Sequence, residues 1–322
     1  MKILVSGGAS YIGSWLIPHL LANGHKVVVY DTLMFGHGFL PTGNASLKVV
    51  KADVRDAANW RKVCAGVDVV IYLASISREL LCQREPDLAQ SVNVDCFDPD
   101  VKIAKEEGVK RFIYASSVAV YGSSETPLTE DAIQAPTTIY GKGKKACEEI
   151  LRTHQSEGFT TIVTRSASVC GYAPRMRLDL TINRMAHDAY RQGIITVEGG
   201  SQIRSHIHIN DISDFYRLLL TAPVELVGGR AFNVVTENQT VLDSARMVRD
   251  VFMDHGKFVQ LERTPRVDDR SYAIDGSKVA VLGYAPKKSI RDAVRDVAIR
   301  LESGYWKDSL TNPVYQNMTH AV

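Results

Sequence analysis

Short apolar segments alternate with longer amphipathic segments over the first half of the chain. Two of the longer segments carry apolar residues at helical spacing and predict helices at Tyr11–Asn23 and Tyr140–His154. Pro18 lies inside the first helix and is expected to kink it. The short segments predict buried strands at Lys2–Ser6, His25–Tyr30, Leu47–Lys51, Asp68–Leu73, Arg111–Ala115 and Thr160–Arg165. The connections are long enough for right-handed crossovers, which is typical of an α/β fold with a doubly wound parallel sheet.

The pattern changes after about Arg165. Turns such as the one at residues 198–200 separate shorter strands, and helices are predicted near Asp211–Leu220 and Val241–Phe252. We therefore predict a Rossmann sheet domain over residues 1–165, to which residues 205–235 return. A smaller, partly interleaved C-terminal substrate domain would take residues 166–204 and 236–322.

The composition is that of a globular protein and excludes several classes. The 322 residues are 45% hydrophobic and 23% charged, which excludes disorder, collagen-like repeats and coiled-coil rods. A formal net charge of +2 predicts no nucleic-acid partner. No apolar segment predicts a membrane span, and the first residues reach glycine too soon for a signal-peptide core. The five cysteines lack metal-ligand spacing and predict reduced thiols of a cytoplasmic protein without a metal site.

A loop of small residues, SGGASYIG at residues 6–13, follows the first strand and opens the first helix. Small residues there let the backbone approach a pyrophosphate, which the helix N-terminus then binds. The spacing fits GxxGxxG except that a serine takes the middle position, so we predict a dinucleotide site with a slightly displaced phosphate. The predicted cofactor contacts from this loop are Gly7, Ser10, Tyr11, Ile12 and Gly13.

An acidic residue ends the second strand. Asp31 can accept hydrogen bonds from the adenosine ribose hydroxyls, and its charge repels a ribose 2′-phosphate. The residues from Thr32 to Phe35 contain no Arg or Lys to hold that phosphate, so NAD is predicted rather than NADP. The alternative for Asp31 is a solvated turn residue. Asp53 and Val54, after the third strand, could hold the adenine ring.

The candidate chemistry lies at the start of the second predicted helix. Tyr140 and Lys144 are four residues apart and therefore share a helix face. An ammonium beside a phenol, near a positive nicotinamide, lowers the tyrosine pKa towards neutrality. The pair can then move a proton to or from a sugar hydroxyl while hydride moves to the ring. Ser117 follows Ser116 just beyond the fifth strand and completes a Ser–Tyr–Lys set; its alternative role is a turn cap.

Together these motifs resemble the extended short-chain dehydrogenase/reductases, in particular nucleotide-sugar epimerases and dehydratases of the UDP-galactose 4-epimerase type. The motifs in order are GGASYIG, Asp31, Asp53-Val54, Leu73-Ala74, Asn93, SSVAVYG at residues 116–122 and YGKGK at residues 140–144. The resemblance covers nearly the whole chain. It implies NAD as cofactor, a nucleotide-diphosphate sugar as substrate, and a homodimer through the helices containing residues 93–107 and 140–154.

The resemblance also implies binding roles. The segments at residues 204–211 and 269–278 resemble the family's substrate-binding segments, which implies that Arg204 contacts the substrate diphosphate; a surface salt bridge is its alternative. Outside the glycine-rich loop, the predicted cofactor residues are Asp31, Thr32, Asp53, Val54, Leu73, Ala74, Ser75, Asn93, Ser116, Tyr140 and Lys144. The predicted substrate residues are Ser117, Ser168, Arg204 and Arg270.

Departures from the family pattern narrow the reaction. Val118 and Ala119 stand where 4,6-dehydratases and UDP-glucuronate decarboxylases carry an acidic residue, which argues against both reactions. Cys170 and His206 are the candidate acid/base groups for epimerisation at sugar carbons 3 and 5, and both are better explained as core or groove residues. Ser168 replaces an asparagine that often contacts the substrate phosphate.

We therefore predict a cytoplasmic, NAD-dependent nucleotide-sugar epimerase that acts at carbon 4 through a transient 4-keto sugar. Its catalytic residues would be Ser117, Tyr140 and Lys144. The alternative at the same site is a nucleotide-4-keto-sugar reductase. A second alternative is a non-catalytic, cofactor-sensing binding protein, which the intact Ser–Tyr–Lys set argues against because a sensor does not need it.

Overall fold

A parallel sheet with helices on both faces forms the larger part of the protein. The structure, a computed structural model, describes residues 1–124, 126–265, 271–306, 308–309 and 312–317. The strands are β1 (Lys2–Ser6), β2 (Lys26–Asp31), β3 (Leu47–Lys51), β4 (Val69–Tyr72), β5 (Arg111–Ser117), β6 (Thr160–Ser166), β7 (Ser168–Cys170), β8 (Ile194–Glu198), β9 (Ile203–His208), β10 (Arg230–Val234), β11 (Glu237–Thr240) and β12 (Gln260–Thr264). The helices are α1 (Tyr11–Ala22), α2 (Ala57–Cys64), α3 (Glu79–Arg84), α4 (Pro86–Gln90), α5 (Phe97–Glu106), α6 (Ile139–His154), α7 (Thr181–Gln192), α8 (Ile209–Leu219), α9 (Val224–Val227), α10 (Val241–Asp254) and α11 (Ile290–Glu302).

The large sheet has the strand order β10-β6-β5-β4-β1-β2-β3, and all neighbouring strands in it are parallel. The chain crosses from β3 at one edge to β4 on the other side of β1. Connections therefore leave β1 and β4 in opposite directions, and a crevice opens at the carboxyl ends of these strands. The predicted fold class is confirmed, and the six predicted strands all occur with shifts of at most two residues at either end.

Alternate residues of the central strands face opposite sides of the sheet. Ile3 and Val5 pack in a core shared with α1 and α8, whereas Leu4 packs in the core beneath α2, α5 and α6. All three side chains are fully buried. Continuous apolar strands of this kind are expected where helices cover both faces of a parallel sheet. Helix α1 continues through Pro18 to Ala22.

The second half of the chain alternates between the large sheet and a smaller layer. After β6 the chain builds β7, α7, β8 and β9, returns with α8 and β10, and leaves again for β11, α10, β12 and α11. In the smaller layer β9 pairs with β7 and β11, and β8 pairs with β12. Helices α7, α10 and α11 pack against one another. Strand β9 therefore belongs to the smaller layer, although it lies partly in the segment 205–235 that was predicted to return to the large sheet.

A buried ion pair joins α6 to the large sheet. Glu148 of α6 accepts hydrogen bonds from the Arg165 guanidinium of β6, with Nη2 to Oε2 at 2.8 Å, and both side chains are at most 5% exposed. Glu148 also accepts hydrogen bonds from Ser116 and Gln134. Arg165 donates further to the Tyr121 hydroxyl at 2.7 Å. Removing one partner of such a pair leaves an uncompensated buried charge, which is far more costly than losing an exposed pair.

Arg165→Met is expected to lower the free energy of unfolding by about 3–5 kcal/mol because Glu148 loses its buried counter-charge. The double change Arg165→Met with Glu148→Leu should recover part of that loss, since it removes both charges. Urea denaturation followed by circular dichroism measures both values. Arg246→Ala breaks an exposed pair with Asp243 and should change the value by less than about 1 kcal/mol. A double variant that loses at least as much as the single one would contradict this account.

Candidate active site

One cavity at the carboxyl edge of the large sheet collects half of the predicted functional residues, including Ser117, Tyr140 and Lys144. It has a volume of about 370 Å³. The predicted residues that line it are Ser10, Tyr11, Ile12, Leu73, Ser75, Ser116, Ser117, Tyr140, Lys144 and Ser168. The glycine-rich loop thus forms one end and the Ser–Tyr–Lys set the other. A second cavity of about 500 Å³, near Met1 and Tyr284, is lined by none of the predicted residues.

The glycine-rich loop packs closely against the sheet and its own helix. Gly7 has a positive φ of 67°, and a Cβ there would lie 2.7 Å from the backbone nitrogen of Ala74. A Cβ on Gly13 would lie 2.2 Å from the carbonyl oxygen of Gly8. Ser10 stands at the N-cap of α1, but its side chain does not cap the helix. The first N–H groups of α1 therefore face the cavity with the geometry that binds an anion.

Asp31 ends β2 beside this loop. Its carboxylate accepts hydrogen bonds from the backbone N–H of Ala9 at 3.0 Å and of Leu33 at 2.8 Å. Burial raises the pKa of Asp31, and these two hydrogen bonds and the charge of Arg175 act against that rise. Each carboxylate oxygen keeps acceptor capacity for a ribose hydroxyl. These positions fit the adenosine half of a dinucleotide, with the exposed Thr32 directly after Asp31.

Several other predicted cofactor residues position loops rather than line the cavity. Asp53 forms an ion pair with Arg55 at 2.8 Å, and Val54 is buried in the core. The Asn93 side chain accepts hydrogen bonds from Ser75 Oγ at 3.0 Å and from the N–H of Ile76 at 2.8 Å. Asn93 therefore shapes the segment after β4, which includes Leu73 and Ala74.

Helix α6 presents Tyr140 and Lys144 to the cavity. Its first turn is held by Glu79 of α3, whose carboxylate accepts hydrogen bonds from the N–H of Ile139 at 3.1 Å and of Tyr140 at 3.0 Å. One turn later, Lys144 Nζ donates to the carbonyl oxygen of Ala115 at 2.7 Å. The same Nζ lies 5.5 Å from the centre of the Tyr140 ring. The predicted shared helix face is therefore present, and its lysine is tied to the end of β5.

The groups of the protein itself leave the pKa of Tyr140 raised. Burial raises it to about 12, while the charge of Arg177 and a hydrogen bond from Ser117 oppose the rise. Burial also lowers the pKa of Lys144 to about 8. The predicted fall of the tyrosine pKa towards neutrality includes the charge of a nicotinamide near the phenol, so it stays a prediction for the enzyme with its cofactor. Among the groups of the protein, Arg177 is the cation whose charge lowers this pKa.

Two arginines in the cavity wall, Arg175 and Arg177, were missed by the sequence analysis. Arg177 Nε and Nη2 bind the carboxylate of Asp179 at 3.0 and 2.5 Å, and its Nη1 donates to Ser77 Oγ at 2.9 Å. The available signal was the pair of arginines at residues 175 and 177, in the segment that follows β7 of the smaller layer. Both arginines reach the cavity because they contact segments 100 or more residues earlier in the chain, such as Ser77 and Ser14. The sequence alone does not show these contacts.

The predicted substrate residues have different surroundings. Ser117 lines the cavity, and its Oγ accepts a hydrogen bond from the N–H of Ala119 at 3.2 Å, so the turn-cap role is present and the catalytic role stays a prediction. Ser116 lines the same cavity and donates a hydrogen bond to Glu148. The Arg204 guanidinium carbon is 5.7 Å from the centre of the Tyr272 ring, which lines the cavity. Arg270 lies outside the described residues.

The structure also shows where the residues that depart from the family pattern lie. Val118 and Ala119 line the cavity beside Ser117 and contribute no carboxylate to it. Cys170 and His206 are buried in the protein interior. Burial raises the pKa of the Cys170 thiol and lowers the pKa of His206 to about 4. His206 is therefore uncharged at neutral pH.

A glycine-rich loop and a serine, a tyrosine and a lysine in one cavity are the features expected of an enzyme that moves hydride and a proton at a hydroxyl-bearing carbon. The family model for the NAD dependent epimerase/dehydratase family matches residues 3–234, and the chain belongs to this family, with NAD as its cofactor. The glycine-rich loop and Asp31 fit that cofactor.

The individual relatives described next share 23–27% sequence identity with the chain. The UDP-glucose 4-epimerase of Lactobacillus helveticus is 27% identical over 322 residues, covering 91% of this chain and 94% of the relative. A dTDP-glucose 4,6-dehydratase from Streptomyces venezuelae, solved with NAD bound, superposes with a TM-score of 0.84 at 24% identity and covers 96% of this chain and 99% of its own. A UDP-glucose 4-epimerase from Thermotoga maritima, solved with UDP-glucose, gives 0.83 at 23% identity, covering 96% and 100%. Similarities at this level of identity show that the fold is shared.

No described helix combines the length and apolar character needed to cross a membrane. Within the same residues, no three His, Cys, Asp or Glu side chains are grouped so that they could hold a metal ion.

Arg177→Met is expected to shift the rising limb of the kcat/KM pH profile upward by about one pH unit, because the tyrosine pKa rises when its neighbouring cation is lost. Arg177→Lys keeps a positive charge beside the tyrosine, so its pH profile should lie close to that of the unmodified protein. Turnover measured between pH 6 and pH 10 gives the profile. The control is Arg184→Met, which removes an arginine with a 51% exposed side chain that pairs with Asp188 on the surface. An unchanged profile in Arg177→Met, or an equal shift in the control, would rule out the electrostatic role.

Proposed function

We propose that the protein is a nucleotide-sugar epimerase that inverts carbon 4 of the sugar through a transient 4-keto sugar. The observation that carries the proposal is the grouping of Ser117, Tyr140 and Lys144 in one cavity with the glycine-rich loop. That arrangement supports reversible oxidation of a sugar hydroxyl close to the cofactor.

The residues of the chain divide the proton chemistry between them. The Tyr140 hydroxyl, ionised, takes the proton of the sugar hydroxyl and later returns one to the alkoxide of the product. Ser117 binds the same sugar oxygen, and its hydrogen bond favours the ionised tyrosine. Lys144 is fixed by its bond to Ala115 and contributes positive charge beside the phenol. NAD, when bound, supplies the hydride acceptor and donor for carbon 4.

Epimerisation is favoured over elimination by the groups around Ser117. Loss of water from the neighbouring sugar carbons needs a carboxylic acid and a base, and Val118 and Ala119 provide neither. Glu79 does line the cavity, but its two oxygens accept the N–H groups of Ile139 and Tyr140. The described carboxylate nearest to the helix start is therefore engaged in holding α6.

A uridine diphosphate sugar is the proposed substrate. The named relative from Lactobacillus helveticus is a UDP-glucose 4-epimerase, which supports this class. Ser168 lines the cavity, and Arg204 stacks on Tyr272, which also lines it; both observations support the proposed contacts with the substrate diphosphate. Arg270 keeps its proposed substrate role from the sequence resemblance alone.

We further propose that the enzyme is a cytoplasmic homodimer. The cysteines at residues 64, 82, 96, 147 and 170 are free and buried, which suits a reducing compartment. The proposed interface joins α5 and α6 of each copy. Side chains on their exposed faces, such as Lys102, Glu106 and Arg152, are charged, so this interface would be polar and sensitive to salt.

Tyr140→Phe is expected to keep its NAD content but to lose turnover by about 10³-fold, because the hydroxyl that carries the proton is gone. Mass spectrometry of nucleotide released by denaturation measures the content. Proton nuclear magnetic resonance of UDP-glucose and UDP-galactose mixtures measures turnover. Tyr190→Phe changes a tyrosine that packs on Phe252, outside the cavity, and serves as the control.

The outcomes separate the candidate reactions. Tightly held NAD with interconversion of the two epimers, and no added cofactor, supports the epimerase. Net consumption of NADH or NADPH in the presence of a 4-keto sugar would show that the protein is the reductase instead of the epimerase. Near-normal turnover by Tyr140→Phe would rule out the proposed mechanism. Binding of NAD with no turnover of any sugar by the unmodified protein would favour the cofactor sensor.

The proposed dimer should weaken when sodium chloride rises from about 0.1 M to about 1 M, since the Debye length falls from about 10 Å to about 3 Å. Arg152→Glu should weaken it as well, whereas Arg246→Glu on α10 should not. Size-exclusion chromatography with light scattering measures the mass. A monomer at low salt would refute the dimer.

A further inference from the structure

Arg175 is a buried cation fixed against the glycine-rich helix. Arg175 is 1% exposed and lines the same cavity as Ser10 and Ile12. Its backbone N–H donates to Ser14 Oγ of α1 at 3.1 Å. The guanidinium carbon lies 4.0 Å from the centre of the Phe35 ring, in the segment after β2. The backbone of Arg175 is therefore fixed to the glycine-rich helix, and its guanidinium lies against the segment that follows β2.

The described hydrogen-bond partners of this guanidinium carry no charge. Nη2 donates to the Asn317 side-chain oxygen at 2.6 Å and to the Val314 carbonyl at 3.2 Å, and both are neutral acceptors. Nε is buried and has no hydrogen-bond partner among the described residues. Burial lowers the pKa of Arg175 to about 9, with Arg177 acting in the same direction and Asp179 and Asp31 against it. A buried guanidinium with an unused donor is a favourable site for an anion.

A second source of positive potential faces the same space. Helix α1 begins at Tyr11, and the Ser10 side chain makes no capping hydrogen bond to its first N–H groups. The N-terminus of a helix carries partial positive charge and free donors. An anion in this end of the cavity would therefore meet α1 on one side and Arg175 on the other.

We propose that Arg175 binds the diphosphate of NAD across the cavity from the glycine-rich loop. A guanidinium can give two donors to two phosphate oxygens, which suits a diphosphate. The phosphate chemistry could also come from the 2′-phosphate of NADP, but Asp31 lies near that position and repels it. The assignment concerns the cofactor alone and does not depend on the identity of the sugar.

The test is the affinity of nucleotide-stripped protein for NAD, NADP and adenosine by isothermal titration calorimetry, without any sugar. Arg175→Met should weaken NAD binding by about 10- to 100-fold and leave adenosine, which has no phosphate, within about twofold. The NAD affinity of Arg175→Lys should lie between those of the unmodified protein and Arg175→Met, because an ammonium keeps the charge but not the paired donors. Arg184→Met, an exposed arginine on α7, is the matched control and should bind NAD normally.

Other results would overturn the proposal. If Arg175→Met weakens NADP but not NAD, the arginine reads the 2′-phosphate. If the affinities for NAD and for adenosine fall equally, Arg175 stabilises the fold and does not bind the diphosphate. Should Arg175→Met fail to fold, Arg175→Lys decides, because the proposal requires NAD to weaken more than adenosine in that variant too. None of these results depends on epimerase activity, so they are separate from a failure of the proposed reaction.

Discussion

The ion pair between Glu148 and Arg165 is the interaction on which the geometry of the cavity depends. Glu148 lies one turn after Lys144 on α6, and Arg165 lies on β6, beside the strand that ends in Ser117. The pair is buried and holds hydrogen bonds from Ser116 and Gln134 as well. Because a buried pair stabilises only when its polar groups are satisfied, α6 has one well-defined position on the sheet. The proposed catalytic residues are therefore positioned by charges that do not line their cavity.

The cations of the cavity have different tasks because their surroundings differ. Lys144 donates to a backbone carbonyl, Arg177 is paired with Asp179, and Arg175 has neutral acceptors only. Burial works against the charge of each one, so each must be stabilised by a neighbouring group or by a bound anion.

The fold and the central motifs could be predicted from the sequence because they depend on local patterns. Apolar strands, the loop at residues 6–13 and the spacing of Tyr140 and Lys144 are each readable within a few residues. The role of Glu79 in holding α6, and the neighbours of Arg177, could not be predicted, since they join segments 60 or more residues apart. The raised pKa of Tyr140 in the protein alone could not be predicted either, because desolvation depends on the whole wall of the cavity.

Strand β10 joins the large sheet only after the chain has built part of the smaller layer. Residues 167–229 lie between β6 and β10, which are neighbours in the sheet. No single break in the chain therefore separates the large sheet from the layer that covers its carboxyl edge. Exchanging this layer for another would therefore require replacing two separate segments of the chain, one before α8 and one after β10. A single fusion point would leave part of the original layer in place.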